Sequence, residues 1–199
     1  MDLTIILGLL STLVMGFLVI AVVTAIILYP CYVGVIKNKN SMLEAKSDID
    51  VQFKKRYDLI PNVLTIAQKF MEHEKEIFTK ITKLRTQAMS APTGSAESMS
   101  CNAQLDTLFG QLKVSMENYP TLKSDATMVQ AMQTYNEVEE HIAAARRFYN
   151  SALTQLNNSV QIFPSSLFRS CVADVLADAK YYECDEASKE RIDAKDFLK

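Results

Sequence analysis

The sequence predicts an all-α protein: an N-terminal transmembrane helix followed by an antiparallel bundle of four long helices. Three observations carry this. The run from Leu3 to Tyr29 contains no charged residue. Downstream, apolar residues recur at steps of three and four, the period of one helix face and not the alternation of a strand. Five Gly and five Pro in 199 residues are too few turn formers for an all-β fold.

The first element is LTIILGLLSTLVMGFLVIAVVTAIILY. As a helix it is about 40 Å long, against a hydrocarbon core of roughly 30 Å. A cleavable signal peptide fits poorly, because no Lys or Arg precedes the run, the run is too long and no A-x-A-like site follows. Cys31 follows Tyr29 and Pro30, where a lipid-modified cysteine would follow small residues. Residues 1–30 therefore read as a retained anchor, with the lipid bilayer as a partner of residues 3–29. Only Asp2 precedes the span, whereas Lys37, Lys39, Lys46, Lys54, Lys55 and Arg56 follow it. The positive-inside rule then places the N-terminus outside and the bundle in the cytoplasm of a single-pass protein. Gly8, Thr12 and Gly16 line one stripe. It is either a self-association face giving a homo-oligomer or the ordinary composition of a membrane span.

The next residues, 31–41, read as a juxtamembrane linker or helical stalk, 42–180 as the bundle and 181–199 as a charged tail. From Met42 the apolar stripe runs through Ala45, Ile49, Phe53, Tyr57, Ile60, Leu64, Ala67, Met71, Phe78 and Ile81, one step of seven passing through Glu74. This is a single helix face reaching about Ser90, where APTGSA makes a loop. Pro61 lacks the N–H that would bond the Tyr57 carbonyl, so a kink or short break is expected near Tyr57–Asp58, with Asp58 free to cap. A second helix is expected over about Glu97–Asn118. A third starts after Asp125 or Ser124 as cap and runs through Tyr135, Ile142, Tyr149 and Leu156 toward Val160. A shorter fourth covers SSLFRSCVADVLADA, capped by Ser165 or Ser166. Each has one apolar stripe, and these bury best against one another.

Little of this points to catalysis. A net charge of −2, with no interleaving of basic and aromatic residues, argues against a nucleic-acid partner. Cys31, Cys101, Cys171 and Cys184 form no CxxC and read as free thiols of a reducing compartment. A helical bundle could hold a di-metal carboxylate site, but neither His73 nor His141 follows a Glu at the required spacing, and both read as surface residues. Phosphate-cradling glycine motifs are missing too. No catalytic residue, metal ligand or cofactor is assigned.

Two polar motifs remain. SDIDVQFKKRYDLIP sets Asp50 one turn before Lys54, and Gln52 one turn before Arg56, as neighbours on a helix surface. IAAARRFYN puts small residues beside Arg146 and Arg147, whose planar forks suit carboxylates. Asp48, Asp50, Gln52, Arg56, Tyr57, Asp58, Arg146, Arg147, Tyr149 and Asn150 form either an inter-helix polar network or a partner-docking surface. In the first reading Arg146 or Arg147 reaches Asp48, Asp50 or Asp58.

The span, SDIDVQFKKRYDLIPN, HEKEIF, YNEVEEHIAAARRFYN and FPSS, in that order, resemble the LemA family. The resemblance implies a membrane-anchored antiparallel helical bundle without established catalytic activity, in bacterial membrane proteins linked to envelope or internal-membrane organisation. Its signature carries over to Ser47–Asp50, Gln52, Lys54, Arg56–Asn62, Glu140, Ala144, Arg146, Arg147, Tyr149, Asn150, Phe163 and Pro164. Lys46 stands where an aromatic residue is common, Ser166 replaces a frequent Asn, and the tail keeps an approximate pattern at Tyr182, Glu183, Asp196 and Phe197. The expectation is a non-enzymatic scaffold or oligomeric organiser at the bacterial inner membrane. The alternative is a cytoplasmic-face adaptor regulating a membrane enzyme such as a protease in envelope stress, with a membrane protein as its partner.

Overall fold

The computed structural model describes residues 3–92 and 94–182. Six α-helices follow in order: α1 (Leu3–Gln68), α2 (Lys75–Ser90), α3 (Ala96–Met116), α4 (Pro120–Lys123), α5 (Ala126–Ser159) and α6 (Ala173–Asp178), with a 3₁₀ helix over Ser165–Val172. No strand occurs among the described residues. The chain divides into two compact units: Met1–Leu43 with Ala152–Ala179, and Glu44–Ser151 with the residues from Lys180 on.

The second unit is the bundle. Every residue of the predicted stripe from Met42 to Ile81 is buried, but the stripe does not belong to one helix. α1 stops at Gln68 and the chain turns back before α2 begins at Lys75. The Lys69 and Phe70 amides bond three residues back, to Ile66 and Ala67, tightening the last turn until it closes. Met71 is buried at the corner, and the polar Glu72–His73–Glu74 that follows it has no apolar residue to continue the helix. The step of seven through Glu74 was the break.

α2 returns antiparallel along α1, so Arg85 meets Tyr57 and Gly94 comes up against Lys46. α3 packs along α2, and α5 runs antiparallel to α3, with the Phe109 and Tyr135 rings stacked at 4.2 Å. The four bundle members are thus α1, α2, α3 and α5. The expected fourth helix at SSLFRSCVADVLADA is instead the 3₁₀ turn followed by α6, and its N-terminus at Pro164 has no side-chain cap from either serine.

Pro61 does not break α1. The carbonyl it leaves free, that of Tyr57, accepts the Arg85 Nε–H at 2.6 Å. A neighbouring helix thus replaces the lost bond, and Asp58 stays exposed without capping anything. The other ends follow local chemistry. Ser95 Oγ accepts from the Ser98 amide at 3.1 Å, and Asp125 Oδ1 accepts from the Met128 amide at 2.9 Å, each cap worth about 1 kcal/mol. Gly94, with φ of 78°, makes the left-handed turn before α3.

In the first unit, α1 from Leu10 to Ile27 presents its leucines, valines and isoleucines to the surroundings, and it is long and apolar enough to cross a membrane. Beyond it, Val35, Met42, Ala152, Leu153, Leu156, Val160 and Val172 form a small core. Phe168 of the 3₁₀ helix sets its ring edge-on to Tyr32 at 5.4 Å. Cys31, Cys101 and Cys171 are free thiols. Cys184, Glu183, Asp196 and Phe197 lie outside the described residues.

Candidate functional site

The centre of the bundle is a guanidinium. Arg56 falls in register with Phe53 and Ile60 at steps of three and four, and its side chain is 0% exposed. It does not sit on a surface beside Gln52, as its place in the charged motif suggested. A buried cation requires acceptors, and α3 and α5 supply them. Arg56 Nη1 donates to Asp106 Oδ1 at 2.5 Å and to Glu139 Oε1 at 3.0 Å. Nη2 donates to Asn102 Oδ1, which also accepts from the Tyr57 hydroxyl at 2.9 Å. The Asn102 amide is held in that orientation because its Nδ2 donates to the Ser98 carbonyl at 2.8 Å.

Arg146 joins from α5. Its Nη2 stands 3.6 Å from Asp106 Oδ2, so one carboxylate bridges two guanidinium groups. Both guanidiniums also lie against the Phe53 ring, at 5.3 Å for Arg56 and 5.5 Å for Arg146. Two cations and two acids, Asp106 and Glu139, thus balance within one cluster.

The electrostatics follow from burial. Desolvation opposes the charge on Arg56, but Glu139 and Asp106 overcome it and hold its pKa above the usual guanidinium range. Burial raises the Asp106 carboxyl above the ordinary range despite the pull of Arg56, with Glu139 adding to the rise. Burial, then the Glu139 carboxylate, raises the Tyr135 phenol well above its usual value. Burial likewise raises Tyr57, against the Asn102 hydrogen bond and the Arg56 charge.

A second cluster ties down the chain after α6. Asn150 Nδ2 donates to the Tyr182 carbonyl at 2.8 Å, and its Oδ1 accepts the Tyr182 amide at 3.0 Å. Tyr149 packs edge-on to Tyr182 at 5.5 Å, and Arg146 lies over the same ring at 5.8 Å. Burial, then Tyr149, pushes the Tyr182 phenol up to about 12.

The predicted residues therefore separate. Arg56, Tyr57, Arg146, Tyr149 and Asn150 converge on these two clusters. Asp48, Asp58 and Arg147 are exposed and make no ion pair among the described residues. Asp50 and Gln52 are half-buried, each with one oxygen lacking a hydrogen-bond partner. The acid that meets Arg146 is Asp106 and not an aspartate of α1. Gly8 and Gly16 stand open, with nothing of the chain within 4 Å of where a Cβ would be, and Thr12 lies between them on α1. Both histidines are exposed.

Sequence reasoning missed Ser98, Asn102, Asp106 and Glu139 as network members. A signal existed for two of them. Ser98 and Asn102 fall at the 4-3-4-3-4 register of Leu105, Phe109, Leu112 and Met116, where a polar residue has to find a buried partner.

A groove of about 920 Å³ lies at the α1–α2 corner, lined by Gln68, Met71, Glu72, Phe78 and Thr82, and no network residue contributes to it. The arrangement around Arg56 is closed. It can lock helices in register, and no substrate can approach the guanidinium without the helices parting.

The LemA family model matches residues 45–195. The chain is also 26% identical to Protein LemA of Metamycoplasma hominis over 164 residues, which cover 80% of this chain and 73% of that one. Matched over most of its length, with the bundle and its polar centre inside the match, this chain belongs to the LemA family.

Proposed function

We propose that this chain is a non-enzymatic, single-pass scaffold of the bacterial inner membrane, with α1 as its anchor and the bundle on the cytoplasmic side. One observation carries the reading: Arg56 of the first motif is fully buried and donates to Asp106 and Asn102 of α3 and to Glu139 of α5, which ties α1, α3 and α5 together. A polar centre of that kind supports a rigid body presented at a surface, not a reaction. The open, apolar α1 supports insertion, and Lys37, Lys39 and Lys46 beyond it support the inside placement of the bundle.

Self-association through Gly8, Thr12 and Gly16 is the organising step in this reading, since small residues let two helix backbones approach closely. Cross-linking the full chain in native membranes should yield dimers or larger species that fall when Gly8 and Gly16 are both replaced by Ile. Monomers alone, with both glycines intact, would sink the organiser.

A second reading is favoured by the outward-facing remainder of the signature. Asp48, Asp58 and Arg147 are free for a membrane-protein partner, as in an adaptor for a protease. Here Asp58→Ala with Arg147→Ala should abolish partner recovery from solubilised membranes while leaving the cross-linked species intact. Unchanged recovery removes this face from the account.

A further inference from the structure

We infer that the loop from Gln161 to Phe168, which runs into the first turn of the 3₁₀ helix, is a second membrane contact, seated in the lipid headgroup layer beside the emerging end of α1. The inference rests on the reading that α1 spans a bilayer. No charged residue occurs between Leu3 and Ile36, so a helix over that run is about 50 Å long and outlasts the hydrocarbon core on its way through the interface. Tyr29 and Tyr32 stand near its end, and tyrosine is the side chain enriched where hydrocarbon meets headgroups. Tyr32 lies about 4.5 Å along the axis beyond Tyr29.

The loop is placed at that depth by contact. The Phe168 ring packs edge-on against Tyr32, in the same compact unit as the span. The rest of the loop does not cover its apolar side chains. Ile162 is 63% exposed, Phe163 78% and Leu167 61%. Three large apolar residues close together on an exposed loop are costly in water. Next to a span they continue its apolar surface into the interface, the depth that amphipathic segments occupy at roughly 5–10 Å into the headgroup boundary. Arg169, the next residue of the 3₁₀ helix, with Lys37 and Lys39 on α1, supplies cations for lipid phosphates just beyond the apolar residues. The occupant of this patch is therefore lipid, contiguous with the lipid around α1.

The chain has no tryptophan, so single substitutions give an unambiguous reporter. Phe163→Trp and Leu167→Trp would each be made in the full chain and reconstituted into phosphatidylcholine–phosphatidylglycerol vesicles, with or without acyl chains brominated just below the headgroup. Phe17→Trp reports on the span itself, and Phe148→Trp, exposed on α5, sets the background. Loss of emission at either loop position beyond that background, with a blue shift relative to the detergent-free unfolded chain, upholds the contact. Emission at both loop positions that bromine leaves unchanged, while Phe17→Trp is quenched, overturns it and leaves the anchor standing. A blue-shifted but unquenched loop overturns it as well, since protein and not lipid then covers the patch. An unquenched Phe17→Trp removes the membrane reading and this inference with it.

Discussion

Two stretches of α1 sort their side chains in opposite senses. From Leu10 to Ile27 leucine, valine and isoleucine stand open, while between Ala45 and Ala67 a guanidinium is closed off completely. In water alone both would be errors. The first stretch suits a surrounding of hydrocarbon, where an outward leucine costs nothing. The second belongs to a helical bundle, and it buries an arginine because α3 and α5 bring carboxylates to it. Burial along this helix is decided by what meets each side chain, not by residue type.

The sharpest way to break that comparison is to remove the guanidinium. Arg56→Ala leaves Asp106 and Glu139 without their common partner, at a cost of about 3–5 kcal/mol. For a chain of this size that is a fall in Tm of roughly 10 °C, read by helical circular dichroism of the full chain in detergent. Arg56→Lys should not restore it, because a single ammonium cannot reach the two acids and Asn102 Oδ1 with a planar fork. An unchanged Tm would mean the network contributes nothing to register.

The next effect concerns Pro61. Arg85→Ala strands the Tyr57 carbonyl and should cost about 1–3 kcal/mol. Pro61→Ala restores a backbone N–H that can bond that carbonyl itself. In the Pro61→Ala background, Arg85→Ala should therefore cost clearly less, and additive losses in the double-mutant cycle would show that the two sites do not share the bond.

How far such features could be read in advance depends on whether they are local. The long apolar run, the core stripe and the Asp125 cap each rest on a few adjacent residues, and all were legible; the Ser95 cap is equally local but was read only as part of a loop. The break after Gln68 was visible as the step of seven, but an apolar stripe resuming in phase disguises a corner as a continuation. The polar centre was legible by half. Arg146 announced itself as an arginine in search of an acid while Arg56 read as a surface residue, and the aspartate they share stands on a helix about 40 and 50 positions away in sequence. Periodicity says which face is inward and not which turn of one helix lies beside which turn of another. Arg85 and Tyr57 escaped for the same reason.

A smaller effect tests the electrostatics. Asp106 has a higher pKa in the fold than the roughly 3.9 of an unfolded aspartate, because burial outweighs the pull of Arg56. The folded chain therefore binds this proton more tightly. The associated stability is fully present below the unfolded value and is lost as pH rises through the folded one. Measured against Asp106→Asn, which has no such proton, the wild-type Tm should lose ground as pH rises through that window. A difference between the two that does not vary with pH would show that Asp106 titrates alike folded and unfolded.

The smallest effect separates two neighbours. Arg146 and Arg147 are adjacent in sequence, but successive helix residues point about 100° apart. That turn places Arg146 between Asp106, Phe53 and Tyr182, and leaves Arg147 in the open. Arg147→Ala should change stability by no more than about 0.5 kcal/mol, while Arg146→Ala should cost more, because it strips one of two cations from the Asp106 carboxylate and uncovers the Phe53 ring. The ordering matters more than either value. Equal losses would mean that the motif acts as one structural block, with no outward face to offer a partner. A silent Arg147 beside a costly Arg146 divides a single dipeptide between holding the bundle together and presenting it.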